Sequence, residues 1–420
     1  MNFVAVDLGA SDSRYTTESG QIMVMPNNMV FLPEGELSLL TPDASDIESC
    51  LEVQIRKVDG PACEYLPANV LIGIMAERHG KLNERPSAQA AKSEQKINYV
   101  STLVACALSR LKFGVDEDID LYLDVPPLQI HKARAEGFGA LLPGNYVVYF
   151  PKYMGGAEVK VNIKTVNIFE EALMALTSFF FNMNGTLKEQ NKKYFTGTTL
   201  SLDIGASTSD MAITQSGRYM DKSGNTYMIG GNVARDALAD SIRERFVIDL
   251  PIDILNRTMI EGRLQSGNKY DDVSDLVSEA KVDLAQQLVA HLQTYFERKK
   301  IPLRTVNTIV VSGGGSVQSQ YVNADGEVVK TSEPMSYFVT KELTKISDGT
   351  EVVEYGEDAR FANIKGLFIR AKIDQVAAAK AKTAAIAKQV TATPVAPAPA
   401  PVAQATAPAV APATVTPVTL

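Results

Sequence analysis

The feature that most constrains this chain is a short segment that occurs twice. Val4-Ala5-Val6-Asp7-Leu8-Gly9-Ala10-Ser11-Asp12-Ser13-Arg14 is echoed by Ser201-Leu202-Asp203-Ile204-Gly205-Ala206-Ser207-Thr208-Ser209-Asp210. Each copy reads as an apolar strand, an Asp, an aliphatic residue, Gly-Ala-Ser and a second strand. One Asp-x-Gly turn would carry little, because such turns join many ordinary hairpins. Two near-identical turns about half a chain apart point to a duplicated architecture with a shared task.

The residue types say what that task is. Glycine lets backbone approach a phosphate oxygen closely, and consecutive turn N–H groups with Ser hydroxyls make an anion-binding concavity. Gly9, Ala10 and Ser11, with Gly205, Ala206 and Ser207, are therefore candidate phosphate loops. Asp7 and Asp203 cannot touch phosphate themselves, since like charges repel. They can hold Mg²⁺ or its waters, because magnesium keeps several waters and takes few carboxylates. The competing reading is that each Asp merely caps its turn.

At 420 residues the chain suits two domains better than one core, and 45% hydrophobic against 21% charged residues is a globular balance. A formal charge of -8 argues against direct nucleic-acid binding, which needs a basic surface. Cys50, Cys63 and Cys106 are odd in number with no CxxC pair, and His79, His131 and His291 are scattered. Neither a disulfide framework nor a zinc site is expected. No apolar run approaches the ~20 residues a bilayer needs, and no secretory signal precedes the first strand. The expectation is a cytoplasmic protein with no membrane partner.

Along the chain, Asn2–Asp7 reads as a buried strand, with returning strands from Tyr15 and over Gln21–Met25. The polar, Pro-punctuated region 33–95 is expected to be an inserted subdomain or lid. Apolar spacing predicts a helix over Ile97–Leu111. Asp118–Val125 reads as a strand stopped by Pro126-Pro127. A strand at Glu158–Val166 should lead into a helix from Asn167 to about Asn182. Gly230-Gly231 should open a helix through Phe246, with Asn232 as N-cap, and these glycines serve either close packing or ligand approach. Asp272–Phe296 reads as a long helix, and the buried strand Thr305–Ser312 runs into Gly313-Gly314-Gly315. A strand-turn-helix pattern covers Ala359–Lys372. From Val376 the composition falls to Ala, Lys, Thr, Val and Pro, which reads as a disordered or extended tether.

Five ordered motifs together resemble the actin/DnaK-chaperone/sugar-kinase superfamily. Two are the phosphate segments around Asp7 and Asp203. The third, Asn167-Ile168-Phe169-Glu170-Glu171-Ala172, is similar to the start of that superfamily's first connecting helix. Ile309-Val310-Val311-Ser312-Gly313-Gly314-Gly315-Ser316 resembles its adenosine motif, and Phe361-Ala362-Asn363-Ile364-Lys365-Gly366-Leu367 its second connecting helix. The short hairpin loops and the Ala-Asn-x-x-Gly segment look most like the ParM/StbA plasmid-segregation actins. The resemblance spans residues 2–372.

It implies an α/β fold of duplicated ribonuclease-H-like, actin-like domains with a nucleotide cleft between them. The implied boundaries are 1–166 for domain I, 167–345 for domain II and 346–375 for a C-terminal return to domain I, followed by the tail 376–420. By the same resemblance Asp7 and Asp203 organise Mg²⁺ and its waters, and Glu170 positions the attacking water. A one-residue shift would give that role to Glu171. Arg14 stands where actins carry a phosphate-reaching Lys, and its bulkier fork makes direct contact less assured. Gly313, Gly314 and Gly315 would lie flat against adenosine. Read from the residues alone, Gly230 and Gly231 are candidates to border the nucleotide, and Asp210 either faces it from the second hairpin or is a solvated strand residue.

The implied activity is ATP hydrolysis, with GTP open, coupled to self-assembly into filaments. The implied role is segregation of plasmid or other DNA through a DNA-binding adaptor protein. A small-molecule kinase of the same superfamily is the alternative. A chaperone is disfavoured, since no substrate-binding domain follows residue 372.

Overall fold

Two sheets, built to the same plan, carry the chain. In the computed structural model, residues 2–33, 36–40, 50–153, 155–347, 349–356 and 358–392 are described, with side chains to residue 384 except at 266. The first sheet comprises β1 (Phe3–Leu8), β2 (Asp12–Thr17), β3 (Met23–Pro26), β4 (Met29–Leu32), β5 (Cys50–Asp59), β6 (Ala68–Gly73), β7 (Asp118–Val125), β8 (Gly144–Phe150) and β9 (Ala157–Glu170). Their order is β3-β2-β1-β7-β9-β8-β5-β6-β4.

The second half begins with β10 (Thr198–Ile204), β11 (Ser209–Gln215), β12 (Arg218–Tyr219) and β13 (Asn225–Tyr227). A small hairpin follows, β14 (Arg263–Ser266) and β15 (Lys269–Asp272). Then come β16 (Thr308–Ser312), a second hairpin of β17 (Ser319–Val322) and β18 (Val328–Ser332), and β19 (Glu351–Glu354). The second sheet runs β12-β11-β10-β16-β19, with β13 also on β11.

The duplication seen in two short segments thus extends to whole sheets. β1 pairs antiparallel with β2 and parallel with β7, and β7 pairs parallel with β9. β10 pairs antiparallel with β11 and parallel with β16, and β16 pairs parallel with β19. Each repeated turn is a hairpin at the head of three parallel strands. Strands buried on both faces read as continuous apolar runs, as Phe3–Leu8 and Thr308–Ser312 do.

Each sheet has its own core. Val100, Leu103, Val104 and Ala107 of the helix Lys96–Phe113 pack with Val4, Val6, Leu121 and Leu123. The helices Gly231–Phe246 and Ser274–Lys299 bury Leu238, Ile242, Leu284 and Leu288 with Leu200, Leu202 and Val311.

Two further helices join the halves. Glu171–Phe180 places Leu176, Phe179 and Phe180 with Val310 of the second sheet, while its Met174 packs with Phe3 and Ala5 of the first. In the helix Ala362–Ala392, Ile364, Leu367 and Phe368 pack with the same Phe3, Ala5 and Tyr122. The crossing depends on Gly366, where an added Cβ would stand 2.0 Å from the Met174 carbonyl oxygen. A backbone atom cannot swing aside as a side chain can. Gly366→Val is expected to destabilise the protein by about 3 kcal/mol or more, read as a lower denaturation midpoint.

Several boundaries differ from expectation. Region 33–95, expected as an insert, supplies β5 and β6 to the first sheet, where β5 pairs with both β6 and β8. Asn167–Glu170 continues β9 instead of starting a helix, held by the parallel register Tyr122↔Asn167 to Val125↔Glu170. The helix toward Phe246 has Gly230 as N-cap, with Asn232 inside it. The expected tether is helical as far as Ala392, in keeping with its Ala- and Lys-rich sequence. The Pro-rich remainder, 393–420, lies outside the described residues. Residues 1–375 form one compact unit, and the second, 376–420, begins within that final helix. Cys50, Cys63 and Cys106 are buried free thiols.

Candidate functional site

Three adjacent parallel strands of the first sheet end at one edge. The register Val6↔Leu123 and Leu123↔Ile168 brings the ends of β1, β7 and β9 level, so Asp7, Asp124 and the Glu170-Glu171 pair stand side by side. In the second sheet Asp203 of β10 is level with Ser312 of β16 and opposite Asp210 of β11. Open parallel sheets bind ligands beyond the carboxyl ends of their strands, which is where all of these residues lie.

The carboxyls of the two edges act on one another. Asp203 is buried, and its carboxyl is pushed up to about 6 by burial, with Glu171 and Asp7 adding and bonds from Asn363 and Ser312 opposing. Asp124 is held well above the usual carboxylate range by burial first, then by Asp7 and Glu171, while Lys92 pulls it down. Asp210 is raised by burial, with Glu171 and Asp203 adding. Asp7 therefore acts on Asp203 across the gap between sheets, as the duplication requires.

Hydrogen bonds fix the individual groups. Arg14 Nη1 bonds Asp7 Oδ2 at 3.1 Å, its partner across the hairpin. The Arg14 Nε is buried without an acceptor, which leaves a donor for an anion. Asp203 Oδ1 accepts from Ser312 Oγ at 3.2 Å and Oδ2 from Asn363 Nδ2 at 2.8 Å. Lys92 Nζ bonds Glu171 Oε1. Burial raises the Glu171 carboxyl, opposed by Lys92.

Glu170, the residue expected at this point, is elsewhere. Its Oε2 accepts from the Tyr219 hydroxyl at 2.7 Å, and the nearby charges acting on it are Arg134, His131 and Asp221. Successive residues at the end of a strand face opposite sides. Glu171 takes the cleft side and Glu170 does not.

The hairpin turns are braced by asparagines. Asn27 Nδ2 bonds the Gly9 carbonyl at 2.6 Å, while its Oδ1 accepts from Ser13 and Ser101. Asn27 N–H also bonds the Ser11 carbonyl. On the second turn, Asn232 Nδ2 bonds Ser207 Oγ at 3.1 Å. Asn27→Ala would leave a half-buried carbonyl and two buried hydroxyls without this partner. It is expected to cost about 1–3 kcal/mol, measurable by denaturant unfolding, and to loosen the Gly9-Ala10-Ser11 turn.

The glycines divide by role. Gly313 has φ 89°, and a Cβ there would lie 2.5 Å from Asp203 Oδ1 and 2.4 Å from the Ile204 carbonyl. Gly315 packs on Ile204, while Gly314 faces open space. Gly230 would meet the Gly205 and Ala206 carbonyls, and the N–H groups of Gly231 and Asn232 bond those carbonyls at 2.9 and 2.7 Å. Gly230 thus takes part in close packing that seats a helix on the second turn, while Gly231 makes only ordinary contacts.

The sequence reading named Asp7, Asp203 and Asp210, and the structure places their carboxyls within electrostatic reach of Glu171. It passed over Asp124, Lys92 and Asn27. Asp124 carried a legible signal, an Asp closing an apolar strand as Asp7 does. Lys92 and Asn27 lie in irregular segments and carried none.

Among known proteins, residues 201–320 match the family model described as archaeal actin homologue MreB-like, C-terminal. No curated protein sequence matches the chain. Solved structures similar to it include Ta0583, an archaeal actin homolog, at 16% identity and a TM-score of 0.64, covering 89% of this chain and 100% of that one. Actin-like protein Alp7A is similar at 17% identity and a TM-score of 0.65, covering 91% and 98%. Bacillus thuringiensis ParM with ATP is similar at 17% and 0.58, covering 90% and 99%.

Proposed function

We propose, from the premise that this chain has the actin fold, that it is a filament-forming ATPase whose assembly depends on nucleotide. In this reading its filaments segregate plasmid or other DNA through a separate DNA-binding adaptor. The observation that carries the reading is that Asp7 and Asp203 are both buried and that Asp7 acts on Asp203, each at the head of a Gly-Ala-Ser turn. The nucleotide-bound ParM structures support a nucleotide as ligand.

The residues fit a divalent cation held through its waters. Five carboxylates, those of Asp7, Asp124, Glu171, Asp203 and Asp210, face one another. The cations bonded to them are Arg14 on Asp7 and Lys92 on Glu171. Both Asp124 oxygens are buried without a donor. Among the described residues no group of three or more His, Cys, Asp or Glu side chains is placed to hold a metal ion directly, so a magnesium here would keep several of its waters. Asp7 and Asp203 are the residues that would hold it, and when bound it would neutralise charge on the phosphates.

The chain's own groups supply the rest. The Gly9-Ala10-Ser11 and Gly205-Ala206-Ser207 turns offer N–H and hydroxyl donors to a polyphosphate from opposite walls. In the Gly313-Gly314-Gly315 run, Gly314 faces open space and leaves room for the base and ribose to lie against backbone. Glu171 orients a water toward the terminal phosphate and accepts its proton. Catalysis of this kind is positioning and charge neutralisation.

Sedimentation of the purified full chain tests the reading. The pelleted fraction is expected to rise above a critical concentration with Mg²⁺-ATP and to fall as nucleotide is consumed. No pelleting at any concentration, with turnover that appears only when a sugar is added, would replace the filament reading with a kinase.

A further inference from the structure

Asn232 and Arg235 stand three residues apart on the helix Gly231–Phe246, which is seated on the second turn. Residues at this spacing share a helix face. Arg235 Nη1 donates to Asn232 Oδ1 at 2.8 Å, and Asn232 Nδ2 donates to Ser207 Oγ at 3.1 Å. The guanidinium is held from its other edge, where Nε and Nη2 donate to Asp236 Oδ1 at 3.1 and 2.9 Å. Three side chains thus form a relay that ends on the Gly205-Ala206-Ser207 turn.

Chemistry at the far end fixes the direction of this relay. A guanidinium has donors only, so the amide must turn its oxygen toward Arg235 and its NH₂ toward Ser207. Ser207 Oγ is thereby made an acceptor. A hydroxyl has one hydrogen to give, and among the described residues that of Ser207 has no acceptor. The backbone beneath is fixed as well, by the Gly231 and Asn232 N–H groups on the Gly205 and Ala206 carbonyls.

The first turn is wired the other way. There Asn27 Oδ1 takes hydrogens from Ser13 and Ser101, and its Nδ2 is engaged by the Gly9 carbonyl. Ser11, the counterpart of Ser207, is exposed, and its hydroxyl is bonded to no described residue. One turn therefore carries a tethered hydroxyl and the other an untethered one.

We propose that Arg235 and Asn232 are positioning residues for phosphate, holding Ser207 as a directed hydrogen donor to the polyphosphate. The proposal deepens the nucleotide reading and rests on it. With Asn232 occupying a lone pair of Ser207, the hydroxyl is biased to donate, and ionised phosphate oxygens can only accept. The second turn makes the directed grip, and the first adds backbone donors and a hydroxyl that must be ordered on binding.

The test is ATP affinity of the full chain with Mg²⁺, read by displacement of a fluorescent ATP analogue from single and double variants. Ser207→Ala is expected to weaken binding about 10-fold or more, as for loss of a hydrogen bond to a charged group. Arg235→Ala and Asn232→Ala should each weaken it about three- to tenfold, because the hydroxyl survives but is free to turn. In the Ser207→Ala background both should cost less than about twofold, since the group they orient is gone. A direct phosphate contact by Arg235, its charge alone, or a loosened helix would cost affinity with or without that hydroxyl. Undiminished effects in the Ser207→Ala background, or a Ser207→Ala protein that binds ATP as the native chain does, would overturn the proposal while leaving the nucleotide reading intact. A native chain that binds no ATP would sink that reading, and the proposal with it.

Discussion

Glu171→Gln is expected to lower nucleotide hydrolysis by about 10²- to 10⁴-fold, the contribution of a positioned general base. Glu170→Gln is expected to leave it within a few-fold. The two residues are neighbours in sequence and carry the same group, so the contrast isolates placement. Glu171 stands in the cleft, bonded to Lys92, and its charge acts on Asp124, Asp203 and Asp210. Glu170 is held by the Tyr219 hydroxyl. Nucleotide binding should survive Glu171→Gln, because the turns that grip phosphate are untouched. Under the filament reading, pelleted polymer should then persist long after the native protein has disassembled. Equal loss in the two variants would mean that neither carboxylate alone orients the water.

Asp203→Asn should separate activity from stability. Hydrolysis is expected to fall by at least about 10²-fold, as for loss of a group that organises charge at the reacting phosphate. The nucleotide-free protein should nonetheless become more stable near pH 7. The Asp203 carboxyl is raised from 3.8 to about 6, chiefly by burial. A raised carboxyl contributes stability below pH 3.8 and loses that contribution as pH rises through about 6. Above it, the buried charge is a net cost of about 2–3 kcal/mol at 1.36 kcal/mol per pH unit of displacement. Asn removes the charge and keeps an oxygen for the Asn363 donor. Its stabilising effect should be absent near pH 4 and full by pH 7, read from urea midpoints across that range. A midpoint that falls equally at both pH values would mean Asp203 is held in place by its bonds more than it is penalised by its burial.

Much of this architecture was legible because it is written twice. The turns at Gly9 and Gly205 are local, short and chemically distinctive, so two copies sufficed to imply paired domains and a shared ligand. The strand Asp118–Val125 and the helix over Ile97–Leu111 followed from apolar spacing. Legibility failed where tertiary pairing decided the outcome. Asn167–Glu170 carries an apolar spacing that also suits a helix, and only its register on β7 makes it strand. That four-residue extension moves the start of the helix to Glu171, the glutamate we propose for the water. The strands within 33–95 were obscured by charged residues of β5 that lie at an exposed end. Lys92, Asn27 and Asn363 act through partners 79, 18 and 160 positions away in sequence, at separations that no local pattern records.

Glu171 is the first residue of the helix that spans the two halves, with Met174 fastened to one core and Phe179 and Phe180 to the other. The carboxylate therefore rides on an element fastened to both cores, and any shift of one core against the other would move it. Under the filament reading, a neighbouring copy that shifts one core against the other would alter the rate of chemistry without contributing a single atom to it.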